Sequence, residues 1–179
     1  MVLLTSSNWV RAFTNISDNL QDKFLQSAIR ESQEIGLQGI IGTDLYIKLQ
    51  TLVGNGDINL QENKTYKDLL DIAQYFLAYS TIAKLCVITT FKVNNIGVNT
   101  TTDDNVQVTS LKDTLTLENY YTGKADFYQS RIQDFCWSNK EQLPELNNCS
   151  LYKINPNLNT NDNTCGIWLG NVRGKRSNA

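Results

Sequence analysis

From Tyr66 to Lys92 apolar residues cover too wide an arc of a helical wheel for a surface element. Leu69, Ala73, Phe76, Ala83 and Val87 mark one face, and Ile72, Tyr75, Tyr79, Ile82 and Cys86 lie beside it. That width predicts a central helix with neighbours on several sides, opened by Thr65 as its cap. Between residues 72 and 91 Lys84 is the sole charge, which raises the question of a membrane span. Gln74, several hydroxyl side chains and a mid-span lysine are poor company for hydrocarbon, and no aromatic or basic flanks frame the stretch. A buried core helix, with no membrane, is the reading.

Helices must then surround it. In Asn15 to Leu52, Asn19 is positioned to cap a helix with Asp22 in its first turn. Phe24, Leu25, Ala28, Ile29, Ser32 and Ile35 recur at helical spacing, while Lys23, Arg30, Glu31 and Glu34 fall outward. Gly36 and Gly39 loosen the end of that helix, and Gly42 permits a sharp bend. Thr43 is then a candidate N-cap, and Leu45, Tyr46, Leu49 and Leu52 make a second stripe. Gly54 to Asp57 breaks the pattern, and Ile58 to Lys64 reads as a polar connection. A third long helix is expected from Ser110 to Gln142, with Leu117, Tyr121, Ala125, Tyr128, Ile132 and Phe135 on one stripe.

Between the long helices, residues 93–110 switch to β-branched residues with Asn, Gly and Asp turn signals. A short hairpin is expected there, with strands at Lys92 to Asn99 and Asn105 to Thr109. A hairpin that short needs a surface to lie on, so Ile96, Val98, Val106 and Val108 are candidate inter-subunit contacts. Asp103 and Asp104 lack the further acids of a calcium loop and read as turn residues. Pro144 and Pro156, with the Asn-rich run from Asn155 to Asn163, argue against regular structure near the C-terminus. The expected fold is mainly α: a small helical bundle around a long central helix, with a hairpin insertion near 93–110 and an extended C-terminal arm. Its divisions are a helical domain over 1–143 and the arm over 144–179.

Leu151, Tyr152, Ile154, Ile167, Trp168 and Leu169 interrupt the polarity of that arm with residues a fully solvated tail would lack. Two outcomes follow from this pattern. Either the arm folds back over its own helices, with Trp168 filling the core edge, or it inserts into another subunit or protein.

The chemistry narrows by subtraction. The 179 residues include four cysteines and no histidine, and the formal net charge is −2. A mixed zinc site therefore has no imidazole, and Cys86, Cys136, Cys149 and Cys165 show no CxxC spacing. Cys86 and Cys136 fall in helical stripes as buried thiols, and Cys149 and Cys165 flank a stretch a disulfide could close. Met1 to Leu4 is too short for a secretory leader, so reduced thiols are expected and the four Asn-x-Ser/Thr triplets carry little weight. With no histidine, phosphate-cradling glycine loop or HExxH motif, neither an enzyme nor a bound cofactor is expected. A dedicated nucleic-acid binder would show a broad basic face; only Arg173, Lys175 and Arg176 make a cationic cluster.

The order of several soft motifs adds a family. DKFLQSAIRESQEIGLQGIIGTDLYIKL, the helix opening YKDLLDIAQYFLAYSTIAKL, the FKVNNIGV turn and the late CGIWLG together cover most of the chain. In these it resembles the head-to-tail connector adaptors of tailed bacteriophages, most closely the neck ring proteins of crAss-like phages. The resemblance implies a structural virion protein at the head-tail interface, made in the host cytoplasm. It implies a dodecameric ring of copies of this chain, docked on the portal protein and offering other neck or tail proteins their attachment site. DNA would pass through such a ring without sequence-specific binding, which suits an acidic wall. Carried onto this chain, portal docking falls to Cys165, Gly166, Ile167, Trp168, Leu169 and Gly170 with the basic Arg173, Lys175 and Arg176. The alternative is a small helical regulatory or DNA-associated module using that basic C-terminus.

Overall fold

A computed structural model of the chain describes residues 2–14, 16–94, 97–100, 110–148 and 153–158. The fold is mainly α. Helix α1 (Ser7–Phe13) precedes α2 (Asp22–Glu31), which runs through a π-helical stretch (Ser32–Leu37) into α3 (Gln38–Ile41). Next come α4 (Thr43–Asn55), two short 3-10 turns (Asp57–Asn59 and Gln61–Asn63) and the long α5 (Lys64–Thr90). Strands β1 (Phe91–Asn94) and β2 (Gly97–Thr100) follow, then α6 (Leu111–Ser138) and a 3-10 turn (Pro144–Asn147).

Helices α5 and α6 pair along their length and organise the molecule. Leu69, Ala73, Phe76 and Leu77 of α5 meet Ala125, Ile132 and Cys136 of α6 in one core, closed by Leu37, Ile41, Leu45 and Leu49 from α3, α4 and the π stretch. A second cluster lies around α1, α2 and the far half of α5, where Val10, Leu25, Ala28, Ile29 and Leu85 are buried. The segment Gln61–Thr89 is long and apolar enough to span a bilayer by length and composition, but its buried positions are those that face the other helices. Helix α6 opens on Ser110, whose Oγ accepts the Asp113 amide at 3.2 Å. It stops at Ser138, four residues before the expected Gln142, because Asn139 turns out of helical geometry and its side-chain amide donates to the Phe135 carbonyl.

Three local expectations need correction. Asn19 does not cap α2; the cap position is Gln21, which offers no side-chain acceptor. The Arg11 guanidinium organises that terminus instead, donating to the carbonyls of Ser17 and Leu20 and to Asp22 Oδ1 at 2.8 Å. Thr43 and Thr65 lie inside their helices, and Gly42 holds the cap position of α4. Ile35, expected in the core, is 69% exposed. The π stretch adds a residue per turn, so positions after Ser32 rotate away from the 3.6-residue pattern. Gln33 turns inward in consequence and is fully buried. Gly36 lies where an added Cβ would come 3.1 Å from Phe76 Cζ.

The hairpin is present but its reversal lies earlier than expected. Phe91 pairs with Thr100 and Asn94 with Gly97 in antiparallel register, so the two strands together occupy the expected first strand and one residue beyond it at each end. The reversal falls within the Asn94 to Gly97 stretch, whose Asn and Gly residues are turn formers, and not between Asn99 and Asn105. Residues 105–109 lie outside the described residues.

Candidate docking site

The described part of the C-terminal segment is tied to the body. Leu146, in the 3-10 turn after α6, is buried in the main core. Beside it the Tyr66 hydroxyl donates to the Glu145 carboxylate, with contacts of 3.0 and 3.1 Å. Residues 153–158 then lie across the α3–α4 elbow as extended chain. The Thr43 amide donates to the Ile154 carbonyl at 2.9 Å and the Asn157 amide to the Ile40 carbonyl at 2.8 Å. The Ile154 amide donates to Thr43 Oγ1, and Gln133 Nε2 of α6 donates to the Asn157 carbonyl at 2.7 Å. Lys153 and Asp44 form an ion pair at the rim, and Leu158 packs on the core.

Gly42 makes this contact possible in two ways. Its φ of +81° with ψ of 164° is a conformation that essentially only glycine adopts. A Cβ there would also lie 2.8 Å from both the ring Cδ and the nitrogen of Pro156. The bend was visible in the sequence; its second role, as the seat of Pro156, was not. The only local hint was Ile154 and Leu158 flanking a proline in otherwise polar chain.

The docking residues named from the sequence, Cys165, Gly166, Ile167, Trp168, Leu169, Gly170, Arg173, Lys175 and Arg176, lie outside the described residues. So do Ile96, Val106 and Val108. Val98 stands in β2, paired with Val93 of β1. The structure thus describes only residues 153–158 ahead of the segment expected to dock. It also shows that hairpin and C-terminal segment leave the body at opposite ends of the α5–α6 pair: β1 continues the last turn of α5, whereas Glu145 meets Tyr66 near its first.

The electrostatics of the site are those of a packing surface. Burial, reinforced by the neighbouring Glu145 carboxylate, pushes the Tyr66 hydroxyl up to about 12. Burial likewise raises the Cys136 thiol to about 12, and burial followed by the Glu118 carboxylate raises Cys86. Both groups are held away from the thiolate form that nucleophilic chemistry needs. Among the described residues no three acidic or cysteine side chains gather as metal ligands.

The class defined by this geometry is a mainly α chain built on a long antiparallel helical pair, with a hairpin at one end and a strapped C-terminal segment at the other. The chain belongs to the family described as "Family of unknown function (DUF6712)", which matches residues 37–156. That match runs from the end of the π stretch to Pro156, so the strap up to Pro156 falls within the family region and Asn157 and Leu158 lie just beyond it. Neither a characterised protein nor a solved structure matches the chain.

Proposed function

We propose that this protein is a non-enzymatic structural adaptor of a phage neck, a ring subunit that joins the portal to the next neck or tail protein. The observation that carries the reading is the two-ended layout: α5 alone spans about 40 Å, with a hairpin at one end and an anchored arm at the other. A spacer between two partners needs two separated contact elements on a rigid body. The bundle supplies the rigidity, and the resemblance in motif order names the partners. On this reading the arm beyond Leu158 docks on the portal, neighbouring copies cover the hairpin, and neither a cofactor nor a membrane is involved.

The test is negative-stain imaging of the protein mixed with purified portal, with and without residues 159–179. The full chain is expected to add ring density at the tail-facing end of the portal, and the truncated chain to add none. Truncation belongs at 159 because Leu146 and residues 153–158 are part of the packed body. Lack of association by the full chain overturns the reading. Salt-sensitive DNA binding that disappears when Arg173, Lys175 and Arg176 are neutralised would favour the regulatory alternative.

A further inference from the structure

Along the flank of α6 beside its α5-facing stripe, where Leu117 lines a cavity with Ile82, Leu85 and Cys86 of α5 and Lys124 reaches the Tyr79 ring, Asp113, Leu117, Tyr120, Lys124, Phe127, Arg131 and Asp134 recur at alternating spacings of four and three. The spacing is that of a helix-pairing seam with three apolar positions at its centre, and these are open: Leu117 is 47%, Tyr120 56% and Phe127 61% exposed. We propose that this seam docks on the same seam of a second copy of the chain, with the two α6 helices antiparallel about a two-fold axis. The inference concerns the free protein and stands apart from the neck reading, because a two-fold contact does not itself close a ring.

Charge selects both partner and direction. In a parallel pair, Asp113, Lys124, Arg131 and Asp134 would each face their own copy, giving four layers of like charge. Turned antiparallel with Tyr120 opposite Lys124, the seam becomes self-complementary: Asp113 meets Arg131, and Leu117 meets Phe127. Each pairing occurs twice about the axis. Sliding the register so that Tyr120 faces Phe127 would instead set Asp113 against Asp134. The favoured register therefore places two ion pairs outside two apolar layers, with a cation over an aromatic ring at the centre.

The seam is also held ready. Phe127 packs edge-on against Tyr128 at 5.3 Å, and Tyr120 against Tyr121 at 5.2 Å. Tyr128 stacks in turn on Tyr75 and Tyr79 of α5. Lys124 Nζ lies 4.4 Å from the Tyr120 ring centre, and the Arg131 guanidinium 5.6 Å from that of Tyr128. Side chains fixed by a layer of rings beneath them lose little further freedom on docking, which favours association.

Sedimentation velocity on the full chain over a wide concentration range tests the proposal. A monomer–dimer equilibrium is expected, with Phe127→Asp weakening it at least about tenfold. Arg131→Asp should weaken dimerisation by setting acid against acid, and Asp113→Arg combined with Arg131→Asp should restore it. Asp113 also accepts a hydrogen bond from Ser110 near the helix start, so circular dichroism must show each variant folded. Independently, Leu117→Cys mixed with Phe127→Cys should give a disulfide joining the two chains through those positions, located by peptide mass mapping. A monomer at all concentrations overturns the proposal, as does a dimer indifferent to Phe127→Asp, or charge reversal that the double variant does not rescue.

Discussion

Two stretches of non-helical chain lie against the helical body, and they are fastened by opposite means. Residues 2–6 are gripped by side chains that read backbone. Gln33 Oε1 accepts the Leu4 amide at 2.8 Å, Gln33 and Gln50 both donate to the Val2 carbonyl, and Gln74 donates to the Leu4 carbonyl. Residues 153–158 are held chiefly by backbone pairing to the α3–α4 elbow over a glycine, with exposed Ile154 and the Lys153 ion pair at the rim. The first strap is sealed, since Leu4 and Gln33 are buried; the second lies at the surface. A buried fastening is cooperative with the fold, because breaking it strands polar groups without water, whereas a surface fastening can open locally. The second therefore suits the proposed role of residues 153–158 as the root of a segment that docks on a partner.

The largest expected effect breaks the sealed strap. Gln33→Leu leaves the buried Leu4 amide without its acceptor and removes one of two donors from the Tyr46 hydroxyl. A loss of about 3 kcal/mol in global stability is expected, seen as a lower denaturant midpoint at an unchanged slope. A cost under about 1 kcal/mol would show that strap to be peripheral as well.

Gly42→Ala attacks the surface strap, through the positive φ and the overlap with Pro156. The expected cost is about 2 kcal/mol, smaller because residues 153–158 can lift away and relieve the overlap. The diagnostic measurement is hydrogen exchange. The Thr43 and Asn157 amides should lose protection while the Leu49 and Leu77 amides of the core keep theirs. Uniform loss across all four would erase the distinction between the straps.

Tyr66 gives that comparison a pH dependence. Its folded-state pKa of about 12 lies above the ordinary value of 10.0, so folding favours the protonated hydroxyl. The resulting stability is fully present below pH 10 and is lost as pH rises towards 12. Tyr66→Phe should cost about 1 kcal/mol at neutral pH and flatten the decline in stability between pH 10 and 12. Tyr46 of α4, which accepts from the Gln33 and Gln50 amides that grip the sealed strap, is also raised, mainly by burial, so some alkaline slope should survive in that variant. A variant whose slope equals that of the parent would remove Tyr66 from the account.

The two regions differed in how far the sequence disclosed them. Long helices announce themselves through repetition, so Leu69, Ala73 and Phe76 in α5, and Ala125 and Ile132 in α6, were placed correctly by period alone. The same rule misplaced Ile35 and left Gln33 unnoticed, since one π stretch breaks the phase and nothing in SQEIGL marks it. Gly42 was legible as a bend because glycine acts locally. Its contact with Pro156 joins positions far apart in sequence, with no local composition to report it. The hairpin was legible in kind and displaced in register, since the turn chemistry around Asn94 and Gly97 outweighed the longer loop expected from the later acids. Trp168 and its neighbours came from composition and resemblance, and the described residues supply only the root they hang from.

The smallest effect tests the rim. Lys153 Nζ lies 2.6 Å from Asp44 Oδ1, with about half of the lysine side chain exposed. Water competes for the lysine charge more than for Asp44, whose side chain is 18% exposed, and holding the long lysine chain in one rotamer costs entropy. Asp44→Asn is therefore expected to change global stability by no more than about 0.5 kcal/mol, inside the scatter of most unfolding curves. Its effect should appear only in local opening: faster exchange at the Ile154 amide, which reaches Thr43 Oγ1 next to the ion pair, and sensitivity of that exchange to salt in the parent but not in the variant. If Asp44→Asn instead lowered the global midpoint as far as Gly42→Ala, the ion pair would belong to the cooperative fold. The contrast between a sealed strap and one free to lift would then fail at its outermost contact.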